Sequence, residues 1–196
     1  MRIPKIKLRS SILLGAYLFF PIAHAHQIAK AEFTIELPAQ WSEIPKSAIL
    51  KAASEVKAKA LKANYEPAAY GFQLGNAWLT YPYVMIDIVK GNPLTKAQLA
   101  SFAKIDISNV SNKVKTNVRG AVASFEIGKI YYDERANIIW MMVAISNNTG
   151  DTANCLIGTI PTNRGLIRVT GVASTKDWGK HMPILKNIIL SIKAFD

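Results

Sequence analysis

Apolar and polar residues alternate along most of this chain with the period of a strand, and change to a helical period in three places. Phe33, Ile35 and Leu37 alternate with Thr34 and Glu36, which predicts a half-buried strand that Pro38 stops. Trp41 then lies in a short connection, and Pro45 suits the first turn of a helix. From Lys46 to Asn64 the spacing is helical, with Ile49, Leu50, Ala53, Val56, Ala60 and Leu61 on one side and Lys51, Glu55, Lys59 and Lys62 on the other. Tyr70–Leu74 and Trp78–Val89 read as strands joined at Gly75-Asn76 by a tight hairpin. Pro82 cannot donate to a ladder, so the second of these strands is interrupted there or lies at an edge.

Gly91-Asn92-Pro93 ends that strand, and Thr95 with Gln98 three residues later forms a capping box for a short helix reaching about Lys104. Asp106 to Val118 is rich in Ser, Asn and Lys and is expected to be irregular. Val122–Tyr132 and Ile138–Ser146 flank a five-residue loop, Asp133 to Asn137. Ile138 to Ile145 is apolar on both faces, the pattern of a central strand covered on two sides. Turns at Asn147–Asp151 and Pro161–Gly165 separate the strands Ala153–Ile160 and Leu166–Val172. A final helix over Asp177–Lys193 buries Ile184, Leu185, Ile188, Ile189 and Ile192, with Pro183 kinking it or marking its start. Strands joined by such short turns are antiparallel, so the expectation is an α+β domain. It has one antiparallel sheet of six to seven strands packed against two or three helices.

The first residues alter where this domain is expected to work. Arg2, Lys5, Lys7 and Arg9 precede an apolar run from Ile12 to Ile22, and Ala23-His24-Ala25 places small residues where signal peptidase reads them. The run is about half the ~20 residues of a spanning helix. Residues 1–25 are therefore read as a cleaved signal peptide and 26–196 as a single periplasmic (or secreted) domain with no transmembrane segment after processing. The chain carries 24 Lys+Arg against 13 Asp+Glu. Without the four basic residues of the signal the balance is 20 to 13, a net charge of +7. Such an excess favours anionic partners. In the envelope these are anionic surfaces or acidic proteins, and nucleic acid is a poor match for that compartment. Cys155 is the only cysteine, so the domain has no internal disulfide and is held by its core. Beside Leu156 and Ile157 it reads as a small buried hydrophobe.

Three segments together resemble a known superfamily. Phe33-Thr34-Ile35-Glu36-Leu37-Pro38-Ala39-Gln40-Trp41 looks like the opening "strand, Leu-Pro, Trp" of the PsbP-like fold. Gly165-Leu166-Ile167-Arg168-Val169-Thr170 looks like its penultimate strand, and Ile188-Ile189-Leu190-Ser191-Ile192-Lys193 like its last helix. That fold includes PsbP, a yeast nuclear-import factor that binds a small GTPase, and envelope proteins of the DcrB type. The resemblance implies a fold and a tendency towards non-enzymatic binding roles, and it carries over no site.

Chemistry is sparse in the sequence. G-x-S-x-G, G-x-x-x-x-G-K and H-E-x-x-H are all missing. Cleavage after Ala25 would make His26 the N-terminal residue, whose amine and imidazole can together chelate copper. Such a site needs a second histidine, and His181 alone is left to supply it, so an incidental histidine on a frayed terminus is the expectation and no cofactor or metal is assigned. Asp133 and Glu134 read as solvated loop charges. Asp87, a charge in an apolar strand, is expected to face solvent on the outer side of the sheet. Among Tyr70, Phe72, Trp78, Tyr81 and Tyr83, cross-strand core pairing is the bland reading. A recognition surface using Trp78, Tyr81 and Tyr83, rimmed by Lys113, Lys115 and Arg119, is the sharper one. The leading functional expectation is a non-catalytic accessory protein binding an envelope protein. A periplasmic immunity or inhibitor protein against a toxin or lytic enzyme is one alternative. A small-ligand or copper protein using His26 is the other.

Overall fold

The apolar strand Phe33–Leu37 forms where its alternation places it, but in a different sheet from the rest. A computed structural model describes residues 25–59, 66–102, 104, 106–108, 111–112, 122–147 and 149–195. In chain order the elements are β1 (His26–Ala29), β2 (Phe33–Leu37), β3 (Trp41–Glu43), α1 (Lys46–Lys59), β4 (Tyr70–Leu74) and β5 (Tyr83–Lys90). Then come α2 (Lys96–Phe102), β6 (Ser124–Asp133), β7 (Ile138–Ser146), β8 (Thr152–Thr162), β9 (Gly165–Ser174), α3 (Trp178–Leu190) and β10 (Lys193–Ala194). The main sheet has seven strands in the order β3-β4-β5-β9-β8-β7-β6, every neighbouring pair antiparallel. A smaller sheet has the order β1-β2-β10. The fold is α+β, an antiparallel sheet with helices, as the sequence predicts.

The difference lies at the N-terminal end. Trp41 is a strand residue rather than part of a connection, and β3 supplies the seventh strand of the main sheet in place of β2. A turn closed by the Trp41 N–H donating to the Pro38 carbonyl (2.9 Å) carries the chain from one sheet to the other. Phe33, Ile35 and Leu37 are fully buried against the same core as Phe72, Ile86, Trp140, Val169 and Leu185. The small sheet and α3 therefore cover one face of the main sheet together. His26 is exposed and opens β1 opposite Leu37.

α3 begins at Trp178 and ends at Leu190, so Pro183 sits inside it and removes the hydrogen bond to the Gly179 carbonyl. The helix stops short of Lys193 because Ser191 is taken up by β2: the Glu36 N–H donates to Ser191 Oγ (2.9 Å), and the chain continues as β10. Two glycines let α3 approach the sheet. A Cβ on Gly158 would stand 2.5 Å from Ile189 Cγ2, and one on Gly171 would stand 3.1 Å from Leu185.

Turn chemistry follows the sequence closely. Thr95 and Gln98 form the capping box, with the Thr95 N–H donating to Gln98 Oε1 (2.8 Å) and the Gln98 N–H to Thr95 Oγ1 (3.2 Å). Asn147 Oδ1 accepts from the Thr149 and Asp151 N–H groups and closes the β7–β8 turn. Bonds from Asn147 Nδ2 and Thr149 Oγ1 hold the Asp151 carboxyl below its usual range. β7, expected to be covered on both faces, is buried at Ile138, Ile139, Trp140 and Val143 but open at Met142 and Ala144, because it lies one strand from the β6 edge.

α1 departs most from its expected stripe. Ile49 and Ala53 are buried, whereas Leu50 and Val56 are 47% and 36% exposed. The helix joins the sheet through its first turns, where Ile49 packs in a small cluster with Ile44, Ala68, Leu79, Tyr83 and Met85. Ala60 and Leu61, the rest of the predicted stripe, lie outside the described residues.

Candidate functional site

The β4–β5 connection is not a tight Gly-Asn hairpin but a longer loop from Gly75 to Pro82, organised by one buried side chain. Gln73 is fully buried on β4. Its Nε2 donates to the carbonyls of Gly75 (3.2 Å) and Ala77 (2.8 Å), and its Oε1 accepts from the Leu79 N–H (2.7 Å). A side-chain amide thus satisfies backbone groups that no strand partner reaches. Further bonds tie the loop down: Ser42 Oγ donates to the Gly75 carbonyl and the Gly75 N–H donates to the Gln40 carbonyl. Leu79, at φ 61°, turns its side chain into the α1 cluster, and the Tyr81–Pro82 peptide is cis.

This framework divides the five aromatic residues. Phe72 is fully buried, and Tyr70 packs edge-on against Phe33 with ring centroids 5.5 Å apart, so both are core residues of the helix-α3 face. Tyr83 begins β5 and is half-buried beside Val143, Cys155 and Val172. Trp78 and Tyr81 are not on a strand at all. They lie in the loop, 48% and 43% exposed, and the Tyr81 ring stacks on Tyr83 with centroids 5.8 Å apart and planes 11° from parallel. Burial beside Cys155, with Asp151 also near, keeps the Tyr81 phenol above its usual range, so it remains a neutral donor. Two large apolar surfaces are thus presented on a loop whose backbone is already ordered, which lowers the entropy lost on binding.

The other predicted residues fall elsewhere. Lys113, Lys115 and Arg119 lie outside the described residues. Asp133 accepts from the Arg135 and Ala136 N–H groups and shapes the β6–β7 turn. Among the described residues, no group of three or more His, Cys, Asp and Glu could hold a metal ion. Burial pushes the Cys155 thiol up to about 12, consistent with a packed, unreactive side chain.

Asp87 does point away from the α3 face, but it is paired. Arg168, directly opposite it on β9, donates from Nε (3.0 Å) and Nη2 (2.8 Å) to Asp87 Oδ2. Both side chains remain partly exposed, so water screens the pair. A double-mutant cycle of Asp87→Ala and Arg168→Ala, read by urea unfolding, should return a coupling of only about 0.5–1 kcal/mol that shrinks in high salt. A coupling above about 2 kcal/mol would show that the pair is screened far less than its exposure implies.

No protein-family profile and no curated protein matches the chain. Solved structures do resemble it. The solution structure of cyanobacterial PsbP from Synechocystis covers 93% of this chain and 99% of its own, at 14% identity and a TM-score of 0.45. The Saccharomyces cerevisiae Ran-binding protein Mog1p covers 89% and 97%, at 9% identity and a TM-score of 0.49. A Bacteroides thetaiotaomicron structure covers 84% of this chain but only 45% of its own, at 13% identity and a TM-score of 0.36. The likeness is one of fold alone. At these identities it brings no site residue and no partner with it.

Proposed function

We propose that this is an exported, non-catalytic accessory protein of the cell envelope that grips another protein through the Gly75–Pro82 loop. The single observation behind this reading is the pair Trp78 and Tyr81, held open to solvent on a loop that Gln73 has already ordered. Interfaces concentrate their binding energy in Trp, Tyr and Arg anchors that enter a partner's pocket. Export is supported by the basic, apolar and small-residue order of residues 1–25. The net positive charge left after processing favours an acidic partner surface and speeds encounter with it.

A photo-crosslinking residue placed at Trp78 in living cells tests the reading. The expected result is one dominant adduct with an envelope protein, formed in near-stoichiometric yield and lost when Tyr81→Ala is added. A diffuse smear of weak adducts, or an adduct indifferent to Tyr81→Ala, would remove the loop as the binding surface. N-terminal sequencing of the recovered protein should begin at His26, and an intact Met1 would remove export.

A further inference from the structure

The face of the main sheet turned away from α3 is not sealed by α1. A groove of about 970 Å³ runs between the helix and strands β5, β9, β8 and β7, within the size range of small-ligand sites. Its two ends differ in chemistry. Towards the Gly75–Pro82 loop the walls are apolar and include Leu79, Met141 and Val172. Towards the far end of β5 the lining carries Asp87, Arg168, Lys90 and Glu66. Across four strands spaced about 4.8 Å apart the floor is roughly 14 Å wide, and it is longer along the strands. Met85 and Met141 line it with flexible thioethers, which adapt to an apolar guest of irregular shape. Ala52 and Val56 face the groove from α1, which explains why part of that helix's apolar stripe is left uncovered.

From this segregation we infer that the groove binds a single-chain zwitterionic amphiphile, of the lysophospholipid class. The alkyl chain lies along the apolar floor, and the head group meets the charged end. That end carries two charges of each sign. A purely anionic head would meet Asp87 and Glu66, and a purely cationic one would meet Arg168 and Lys90. A head bearing a phosphate and an ammonium finds a partner for each, so opposition from the unmatched charges supplies the discrimination. Arg168 gives one bond from Nε and one from Nη2 to a single oxygen of Asp87, and its side chain is 51% exposed, so three of the five guanidinium N–H groups take no part in that pair.

The test uses the full chain and three twelve-carbon probes below their micelle-forming concentrations: dodecylphosphocholine, dodecyl sulfate and dodecyltrimethylammonium. Titration calorimetry and native mass spectrometry should find one dodecylphosphocholine per chain, bound at least tenfold more tightly than either singly charged probe. Ala52→Trp, which fills the groove from the helix, should weaken binding at least tenfold while the circular-dichroism spectrum stays the same. Asp87→Asn with Arg168→Gln should keep binding of the chain but reduce the head-group preference to less than threefold. The proposal fails if no probe binds the native protein, if all three bind equally, or if Ala52→Trp leaves affinity intact. Should the double variant unfold, the probe ranking and Ala52→Trp still decide the matter.

Discussion

Replacing Gln73 by Leu should cost about 2–4 kcal/mol of stability, although the two side chains are similar in size. The substitution strips two donors and one acceptor from the β4–β5 loop in a fully buried position. The Leu79 N–H would then have to find water or stay unpaired, at about 1–3 kcal/mol for an unpaired buried polar group, while the Ala77 carbonyl would keep only its bonds from Thr80 Oγ1 and the Thr80 N–H. Loss of volume plays little part, so the deficit reports hydrogen bonding. Amide exchange separates the two stages of the damage. In the native protein the Leu79 amide should exchange slowly, whereas in Gln73→Leu it should exchange at rates near those of an open loop while β8 and β9 amides remain protected. The Trp78 crosslink described above should fall with it, since the aromatic pair loses its ordered base. Unchanged Leu79 protection would mean that Ser42 and Leu79 alone hold the loop.

The second large effect is expected at the contact between α3 and the main sheet. Gly158→Ala should destabilise the protein by about 1–3 kcal/mol, because the new methyl would stand 2.5 Å from Ile189 Cγ2 and helix or strand must give way. The gain from a stiffer unfolded chain, about 0.4–1 kcal/mol, offsets part of this but not all. Ile189 is fully buried, so Ile189→Ala should cost about 2–5 kcal/mol by leaving a cavity. Combined, the two changes should be less harmful than their sum by more than about 1 kcal/mol, since the alanine methyl occupies space that the isoleucine has vacated. Strict additivity in urea unfolding would show that α3 accommodates the methyl elsewhere, and that the close approach at Gly158 is not under constraint.

Features governed by neighbouring residues were legible. The Thr95–Gln98 box and the Asn147–Asp151 turn are built from side chains reaching backbone two to four residues away, so their residue types announce them. The strands from β6 to β9 follow from alternation and short turns. The Gly75–Pro82 loop was hidden, because Gly75-Asn76 satisfies the hairpin pattern and nothing local says that Gln73 is buried. A polar residue between Phe72 and Leu74, two positions before a glycine, was the one available signal. The partner of Asp87 was equally hidden, since Arg168 lies 81 residues away and reaches it only through the β5–β9 register.

Alternation and helical spacing are properties of consecutive residues, and so the chain alone determined most of the strand and helix segments and the α+β class, while it carried β5 back to Trp78, into what is the Gly75–Pro82 loop, and left Trp41 in a connection. The tertiary structure decided the rest: that β2 leaves the main sheet and β3 takes its place, that Trp78 and Tyr81 stay exposed while Phe72 is buried and Tyr70 packs half-buried against the core, and that α1 stands off a groove instead of sealing it. Those outcomes depend on which apolar faces meet across long stretches of chain. Burial is decided by the partner available in space, and a period of two or 3.6 residues states only that some partner is required.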